Sequence, residues 1–395
     1  MPIPDPRRRN LRYLVLGQTA LNTGVFLHVF LGAFAVQRVT GSVALGGLPF
    51  AIYFFVSLFV TVPAGRWMDR VGRAAVLGVG HVLAAAGAAV IAGSLVIPLG
   101  AATFPLFVTG LFLLAAGWSV AGLTRVAAAD LYSTEERATG VGRFLLLGLV
   151  GHVAGAVLFL LLAREEAIPV TFGYLAVVPV YGIGALSMAA IHGTLPRPAR
   201  AAARQAPLGS VVRRPRVGWT ITSNVGANGG MVGIMSLASP ALAALQGPTM
   251  VGIMLAHFGG MFLPSPVAGR LADRRGRSLS ILVGGGVLLI GALLFSRTDL
   301  PLVAGAGLFL VGAGWCFTFI PGTALLADAT SLEERGLLFG INDAIVAIVG
   351  GAAVLLAGFA FAYWNSWGLA LVGASLAALP LIASLRLQPR ATRGR

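Results

Sequence analysis

A charged stretch, GRWMDRVGR at residues 65–73, joins two long apolar segments of the chain. Its charged residues are Arg66, Asp69, Arg70 and Arg73. Gly65 and Gly72 allow a tight turn and a close approach of the flanking helices. The same spacing recurs in GRLADRRGR at residues 269–277, whose matching residues are Gly269, Arg270, Asp273, Arg274, Gly276 and Arg277. Two copies between apolar segments predict an internally duplicated chain.

The composition is that of an integral membrane protein. Of the 395 residues, 57% are hydrophobic and only 10% are charged, and the mean hydropathy is +0.89. No soluble globular domain has this balance. The net charge of +15 does not indicate nucleic acid, because the arginines stand between apolar segments rather than on one solvated face. The single cysteine, Cys316, lies in an apolar segment and excludes an intrachain disulfide.

The hydropathy pattern predicts twelve membrane-spanning helices, since a span needs about 20 apolar residues. Their expected ranges are 13–36, 43–64, 74–96, 103–128, 139–162, 168–192, 217–244, 249–268, 278–296, 300–327, 337–361 and 366–386. Arginine is concentrated in the tails and in the alternate loops that would face inward, which places both termini in the cytoplasm. The basic segment 193–216 reads as a cytoplasmic linker between an N-terminal half, 1–192, and a C-terminal half, 217–395.

The two halves match beyond the charged stretch. Gly117-Trp118 corresponds to Gly314-Trp315, and Ala129-Asp130 corresponds to Ala327-Asp328. The offsets are 269 − 65 = 204, 314 − 117 = 197 and 327 − 129 = 198 residues, so the two copies differ only slightly in length. Parallel repeats of this kind predict two halves related by an axis along the membrane normal.

The charged stretch and its copy resemble the loops between helices two and three, and between helices eight and nine, of the major facilitator superfamily. The resemblance implies an all-α membrane protein with six helices in each half, a solute bound between the halves, and no cofactor. Runs such as Ala256–Ser265 and Gly312–Phe317 resemble a poorly characterised bacterial branch, some members of which carry riboflavin. The resemblance therefore implies a multi-pass protein of the bacterial inner membrane.

The resemblance also suggests a role for the charged stretches. In the family, the loop aspartate faces a helix N-terminus and a flanking arginine meets an acid at the end of helix four or ten, here Asp130 or Asp328. A carboxylate is favoured at a helix N-terminus, and arginine binds a carboxylate as a fork. Such contacts would close the cytoplasmic side and stabilise the outward-open state, which makes these residues a gate. The alternative is that the charges only set topology.

Several polar residues inside spans are candidates for contact with the solute. Arg125 and Trp118 lie on the fourth predicted helix, where Arg125 either holds an anionic solute or extends to the cytoplasmic surface. Paired amides stand on helices one and seven, which either line a cavity or join helices. The residues expected to line this cavity are Asn22, Asn224, Asn228, Trp315 and Thr318.

Titratable groups inside spans are candidates for proton transfer. Asp343 is either a gate partner of Arg66 or Arg70 or a proton carrier. His28, His152 and His257 either titrate or are packed in hydrogen bonds. No metal cluster or nucleophile constellation is evident in the sequence, and a membrane-embedded transferase would need a second acid where Ala347 stands.

The sequence thus predicts secondary or facilitative transport of a small organic solute, with efflux favoured. Proton-coupled uptake of a vitamin-like or anionic metabolite such as riboflavin is the alternative. The expected partners are the solute, the lipid bilayer and a coupling proton, without nucleic acid, metal or cofactor, and the expected state is a monomer. A sensor without transport would need an output domain, and both tails are short.

Overall fold

The computed structural model describes residues 6–97, 100–129, 131, 137–162, 170–191, 214–245, 247–329 and 332–388. Asp130 and the side chains of Asp69 and Arg125 lie outside that description. The described elements are α-helices with short 3-10 turns. The helices are α1 (Pro6–Thr40), α2 (Leu48–Val71), α3 (Arg73–Val96), α4 (Thr103–Ala121), α5 (Thr124–Ala129), α6 (Arg137–Leu162), α7 (Val170–Ala189), α8 (Pro215–Met235), α9 (Ala238–Ala241), α10 (Gly247–Phe262), α11 (Ser265–Arg275), α12 (Arg277–Phe295), α13 (Pro301–Asp328) and α14 (Leu332–Arg386).

Within the described residues, nine helical segments are long and apolar enough to cross a membrane. The last of them, Leu338–Arg386, is interrupted at Asn365, whose backbone leaves the helical region (φ 51°, ψ −139°). The helix α6 contributes a shorter apolar segment, Leu146–Leu162. The chain is therefore a multi-pass membrane protein, and the number of crossings, twelve, stays a prediction.

The prediction that the charged stretch is a loop from Gly65 onward was wrong. The helix α2 continues through Gly65 to Val71, and only Gly72, at φ 107°, separates it from α3. The copy is built alike, because α11 passes through Gly269 and ends before Gly276, at φ 96°. In each stretch the second glycine adopts the positive φ that ends the helix, whereas the first glycine stays helical.

Three predicted helix ranges were also wrong, and one of them, 249–268, is interrupted between Phe262 and Ser265. The fourth predicted helix is broken at Gly122 and Leu123, so Arg125 lies in the short helix α5 and does not share a continuous helical face with Trp118. The seventh predicted helix ends at Met235 rather than at 244. Pro240 lacks an N–H group and its ring would clash with the carbonyl of Ser236, four residues earlier, if the helix continued.

A seam of glycines joins one helix pair in each half and repeats with the same offsets as the motifs. Between α3 and α4, Gly80 and Gly87 face α4 while Gly110 and Gly117 face α3. Between α12 and α13, the seam is formed by Gly284, Gly291, Gly307 and Gly314. A Cβ at Gly80 would stand 2.6 Å from the backbone N of Ala121, so the two backbones are in contact. Small residues permit this close packing in membrane helices.

By internal contacts, the chain divides into two compact units, which are Met1–Arg200 with Ser236–Leu255, and Ala201–Met235 with Ala256–Arg395. In the first unit, α3 packs against α4 and α7, and α1 packs against α6 and α7. In the second, α14 packs against α8 and α12, and α12 packs against α13. The division into halves at a linker, 193–216, stays a proposal.

Candidate functional site

In the first unit, an aromatic cluster surrounds Trp118 and satisfies its own polar atoms. The indole Nε1 of Trp118 donates to the hydroxyl of Tyr181 at 2.7 Å. The ring of His28 meets that of Trp118 edge-on with centroids 4.9 Å apart, and its Nδ1 lies 2.8 Å from the hydroxyl of Tyr174. All four side chains are buried. Gly24 gives the space into which the Tyr181 hydroxyl fits.

The amide of Asn22 joins helices. Its Nδ2 donates to the carbonyl of Gly148 on α6 at 2.8 Å, and its Oδ1 accepts from Gln18 at 2.8 Å. Gly151 lets α6 approach α1 at this level, since a Cβ there would stand 2.7 Å from that of Asn22. The Nδ2 end of the Asn22 amide thus joins α1 to α6, while its Oδ1 end is used within α1.

In the second unit, a chain of hydrogen bonds links α8 to the start of α14. The Nδ2 of Asn224 donates to the Oδ1 of Asn342 at 3.0 Å. The Nδ2 of Asn342 donates in turn to the Oδ1 of Asp343 at 3.1 Å. Asn224 and Asn342 are buried, whereas Asp343 is exposed. This series of hydrogen bonds therefore connects a buried amide to an exposed carboxylate.

The second unit also contains buried polar atoms that have no hydrogen-bond partner among the described residues. They are Ser223 Oγ, Asn224 Oδ1 and Asn228 Oδ1 on α8, and Trp315 Nε1 on α13. The ring of Trp315 stacks on Phe319 with centroids 4.7 Å apart and an angle of 14°. Unpaired buried groups are rare in proteins, and each calls for an explanation such as a functional role, a water or an ion. The repeated tryptophans thus differ, since Trp118 has its acceptor and Trp315 does not.

Two of the other predicted residues, Thr318 and His257, are used in contacts between helices. The hydroxyl of Thr318 donates to the carbonyl of Gly314 at 2.9 Å, and its side chain occupies the space beside Gly284 on α12. The Nδ1 of His257 lies 3.0 Å from the carbonyl of Leu308 and so joins α10 to α13. His152 is buried in α6. Among the described residues, no group of three or more His, Cys, Asp or Glu could hold a metal ion.

At the end of α13, the predicted pairing of an arginine with Asp328 is observed in the second copy of the charged stretch. Arg277, the first residue of α12, donates to the carboxylate of Asp328. Arg214 donates to the carbonyl of Ala329 at 2.8 Å. This carbonyl lies at the C-terminal end of α13, where the helix dipole stabilises a cation. In the first copy, Arg73 is buried, and its expected partner Asp130 lies outside the described residues. The remaining charged members of both copies whose side chains the structure describes are exposed, namely Arg66, Arg70, Arg270, Asp273, Arg274 and Arg275.

Sequence reasoning did not single out Tyr174, Tyr181 and Ser223. The tyrosines are seven residues apart, so a helix brings them to one face, and this spacing could have marked them beside Trp118. Ser223 gives no such signal, because a serine in an apolar helix commonly donates to its own backbone.

Gly322 on α13 lies against the side-chain amide of Asn224. Its replacement therefore tests the hydrogen bond from Asn224 to Asn342. A Cβ at Gly322 would overlap the Oδ1 of Asn224. We expect Gly322→Ala to displace that amide, break its bond to Asn342 and lower the free energy of unfolding by about 1–3 kcal/mol. The control is Gly286→Ala, where a Cβ meets nothing within 4 Å. Thermal melts in detergent measure both variants, and equal melting temperatures would contradict the geometry.

Comparison with known proteins agrees with this architecture. The family model of the Major Facilitator Superfamily matches residues 14–354 and 227–395, and the chain belongs to this family. It is 27% identical to the uncharacterized MFS-type transporter YdeG of Bacillus subtilis (strain 168), over 94% of this chain and 90% of that protein. It is also 27% identical to the riboflavin transporter RfnT of Brucella anthropi, over 97% of each chain. The nucleoside transporter NupG has the same fold, with a TM-score of 0.76 at 12% identity over 98% of this chain and all of that one. The chain is therefore a membrane transporter and not an enzyme.

Proposed function

We propose that the chain is a secondary transporter of a small organic solute, which it carries by alternating exposure of a site that α8 and α13 help to form. The observation that carries this proposal is the set of buried, unpaired polar atoms on these two helices. The proposed direction of transport is efflux across the bacterial inner membrane. We propose that both termini lie in the cytoplasm and that the protein works as a monomer.

Uptake of a planar, vitamin-like solute is the second candidate. It is supported by the similarity to RfnT over the whole length of both chains and by the stacked rings of Trp315 and Phe319. Planar rings stack on such aromatic faces. Riboflavin is therefore the first solute to test.

The experiment is a thermal-shift panel on the purified protein with metabolites, drugs and riboflavin, followed by transport in oriented membrane vesicles. A solute that binds the folded protein raises its melting temperature by mass action. Efflux predicts uptake into inverted vesicles and no accumulation in right-side-out vesicles. A solute that stabilises the protein but crosses neither vesicle type would contradict the proposed function.

We further propose that the charged stretches act as a gate. The pairing of Arg277 with Asp328 supports this role, because such a pair biases one of two conformations rather than taking part in chemistry. The proposed gate comprises both copies of the stretch together with Asp130, Asp328 and Asp343. If the stretches are a gate, Asp69→Asn should make cysteines on the cytoplasmic side more accessible to a thiol reagent. If the charges only set topology, this accessibility should stay unchanged.

A coupling proton is expected at Asp343 rather than at a histidine. Asp343 is exposed, while His28 and His257 are buried and hydrogen-bonded. We expect Asp343→Asn to abolish the dependence of transport on a pH gradient, whereas His28→Ala, His152→Ala and His257→Ala retain it. Initial rates in proteoliposomes with and without an imposed gradient measure this.

The matched control for Asp343→Asn is Asp299→Asn. Asp299 is exposed and paired with Arg297 at 2.8 Å, and the hydrogen bond from Arg297 holds the pKa of this carboxyl below its ordinary value. This carboxyl therefore favours its charged form, which makes Asp299→Asn a control for the loss of a carboxylate. Gradient-driven transport that persists in Asp343→Asn would exclude this carboxylate as the carrier.

A further inference from the structure

The amide of Asn224 can take only one orientation while Asp343 is ionised. An ionised carboxylate only accepts hydrogen bonds, so Asp343 binds the NH₂ group of Asn342. The carbonyl of Asn342 then points toward α8 and binds the NH₂ group of Asn224. The carbonyl of Asn224 is consequently the end of that amide left without a partner.

The next turn of α8 presents the same kind of atom. Asn228 lies four residues after Asn224, hence on the same face of the helix, and its Oδ1 also lacks a partner among the described residues. We call Asn224 and Asn228 the acceptor face. On α13, Trp315 contributes an unpaired Nε1, which can only donate. The second unit thus offers two acceptors from α8 and one donor from α13.

We propose, on the basis of the transport function above, that the solute is a planar molecule carrying N–H or O–H donors for the acceptor face and an acceptor for Trp315. Asn342 and Asp343 are positioning residues, because they act on the solute only by fixing the orientation of the Asn224 amide. A site built from buried acceptors rejects an analogue that lacks the donor, since the acceptors are then left unpaired.

Asp343 is the acidic residue at the end of this series of hydrogen bonds. The elements that pack against α14 are α8, α12 and α13. Their charged side chains in the described residues are Arg216, Arg277 and Asp328, and Arg277 is already paired with Asp328.

The test compares ligands that differ by one donor. The probes are uridine, 3-methyluridine and 5-methyluridine, together with riboflavin and 3-methylriboflavin. Methylation at N3 removes the imide N–H, whereas 5-methyluridine adds the same bulk and keeps the donor. Dissociation constants are measured by equilibrium dialysis with the full-length protein in detergent.

We expect at least one parent compound to bind about tenfold or more tightly than its N3-methyl analogue, with 5-methyluridine behaving like uridine. Asn224→Ala should remove this preference. Asp343→Asn should reduce it to less than about threefold, because an amide at 343 can donate as well as accept and no longer fixes the chain. Asn342→Ser interrupts the same hydrogen bonds at a second residue. Asp299→Asn is the control and should keep the preference for the parent compound over its N3-methyl analogue.

Equal binding of each parent and its N3-methyl analogue would overturn the proposal, and so would the absence of binding by both parents. A full preference in both Asp343→Asn and Asn342→Ser would also overturn it. These failures differ from failure of the transport function, since a protein that exchanges some other solute across vesicles remains a transporter whose site is not an acceptor face.

Discussion

Alanine at Gly117 or at Gly314 is expected to lower the free energy of unfolding by about 3 kcal/mol in each case, the upper end of ordinary overpacking. These glycines lie at equivalent positions in the two seams. A Cβ at Gly314 would stand 2.5 Å from the backbone N of Leu288 and 2.7 Å from the carbonyl of Gly284. Backbone atoms cannot move aside as a flexible side chain can, so the two helices must separate.

Two other glycines inside helices serve as controls for the glycine seams. A Cβ at Gly182 on α7 or at Gly286 on α12 meets nothing within 4 Å. Alanine at these positions should leave the melting temperature unchanged or raise it, because glycine is the less favourable residue inside a helix. Similar melting temperatures for seam and control variants would contradict the close packing of α3 on α4 and of α12 on α13.

Phenylalanine at the two repeated tryptophans is expected to give opposite results. In Trp118→Phe, the hydroxyl of Tyr181 loses its donor at a buried position, and the cost should be about 1–3 kcal/mol of stability. In Trp315→Phe, the lost N–H group has no partner among the described residues, so stability should hold. The affinity for the transported solute should instead fall by about tenfold, as expected for a lost hydrogen bond.

Melting temperatures and dissociation constants for both variants measure this difference between the halves. The stability of Trp118→Phe reports on a hydrogen bond inside the protein and not on solute binding, so it serves as the control for Trp315→Phe. Equal stability losses in the two variants, with unchanged affinity in Trp315→Phe, would place the solute elsewhere.

Much of the fold could be predicted from the sequence because membrane helices follow composition closely. The family, the membrane location and the internal repeat all rested on the apolar segments and on the charged stretch at residues 65–73. The length of α2 could not be predicted in the same way, because polarity marks where a helix leaves the membrane and not where its hydrogen bonds end. Gly72 and Gly276 end those helices, and the equivalent-looking Gly65 and Gly269 do not.

The candidate site was less predictable, since a residue type does not determine its partner. Asn22 and Asn224 look alike in sequence, yet Gly148 brings α6 close enough to use the amide of Asn22, while Asn342 meets only one end of the Asn224 amide. Thr318 was predicted to line the cavity but packs beside Gly284 on α12. These differences depend on which helix lies opposite, and that information is not local in the sequence.

Counterflow in proteoliposomes shows whether the protein is a carrier with an alternating site. Vesicles are preloaded with an unlabelled solute identified in the thermal-shift panel and diluted into a trace of the labelled solute. A carrier returns from each outward crossing with labelled solute, so the label should rise transiently above its equilibrium level and then decline. Label that enters at the same rate in empty and preloaded vesicles, without this overshoot, would contradict transport by an alternating carrier.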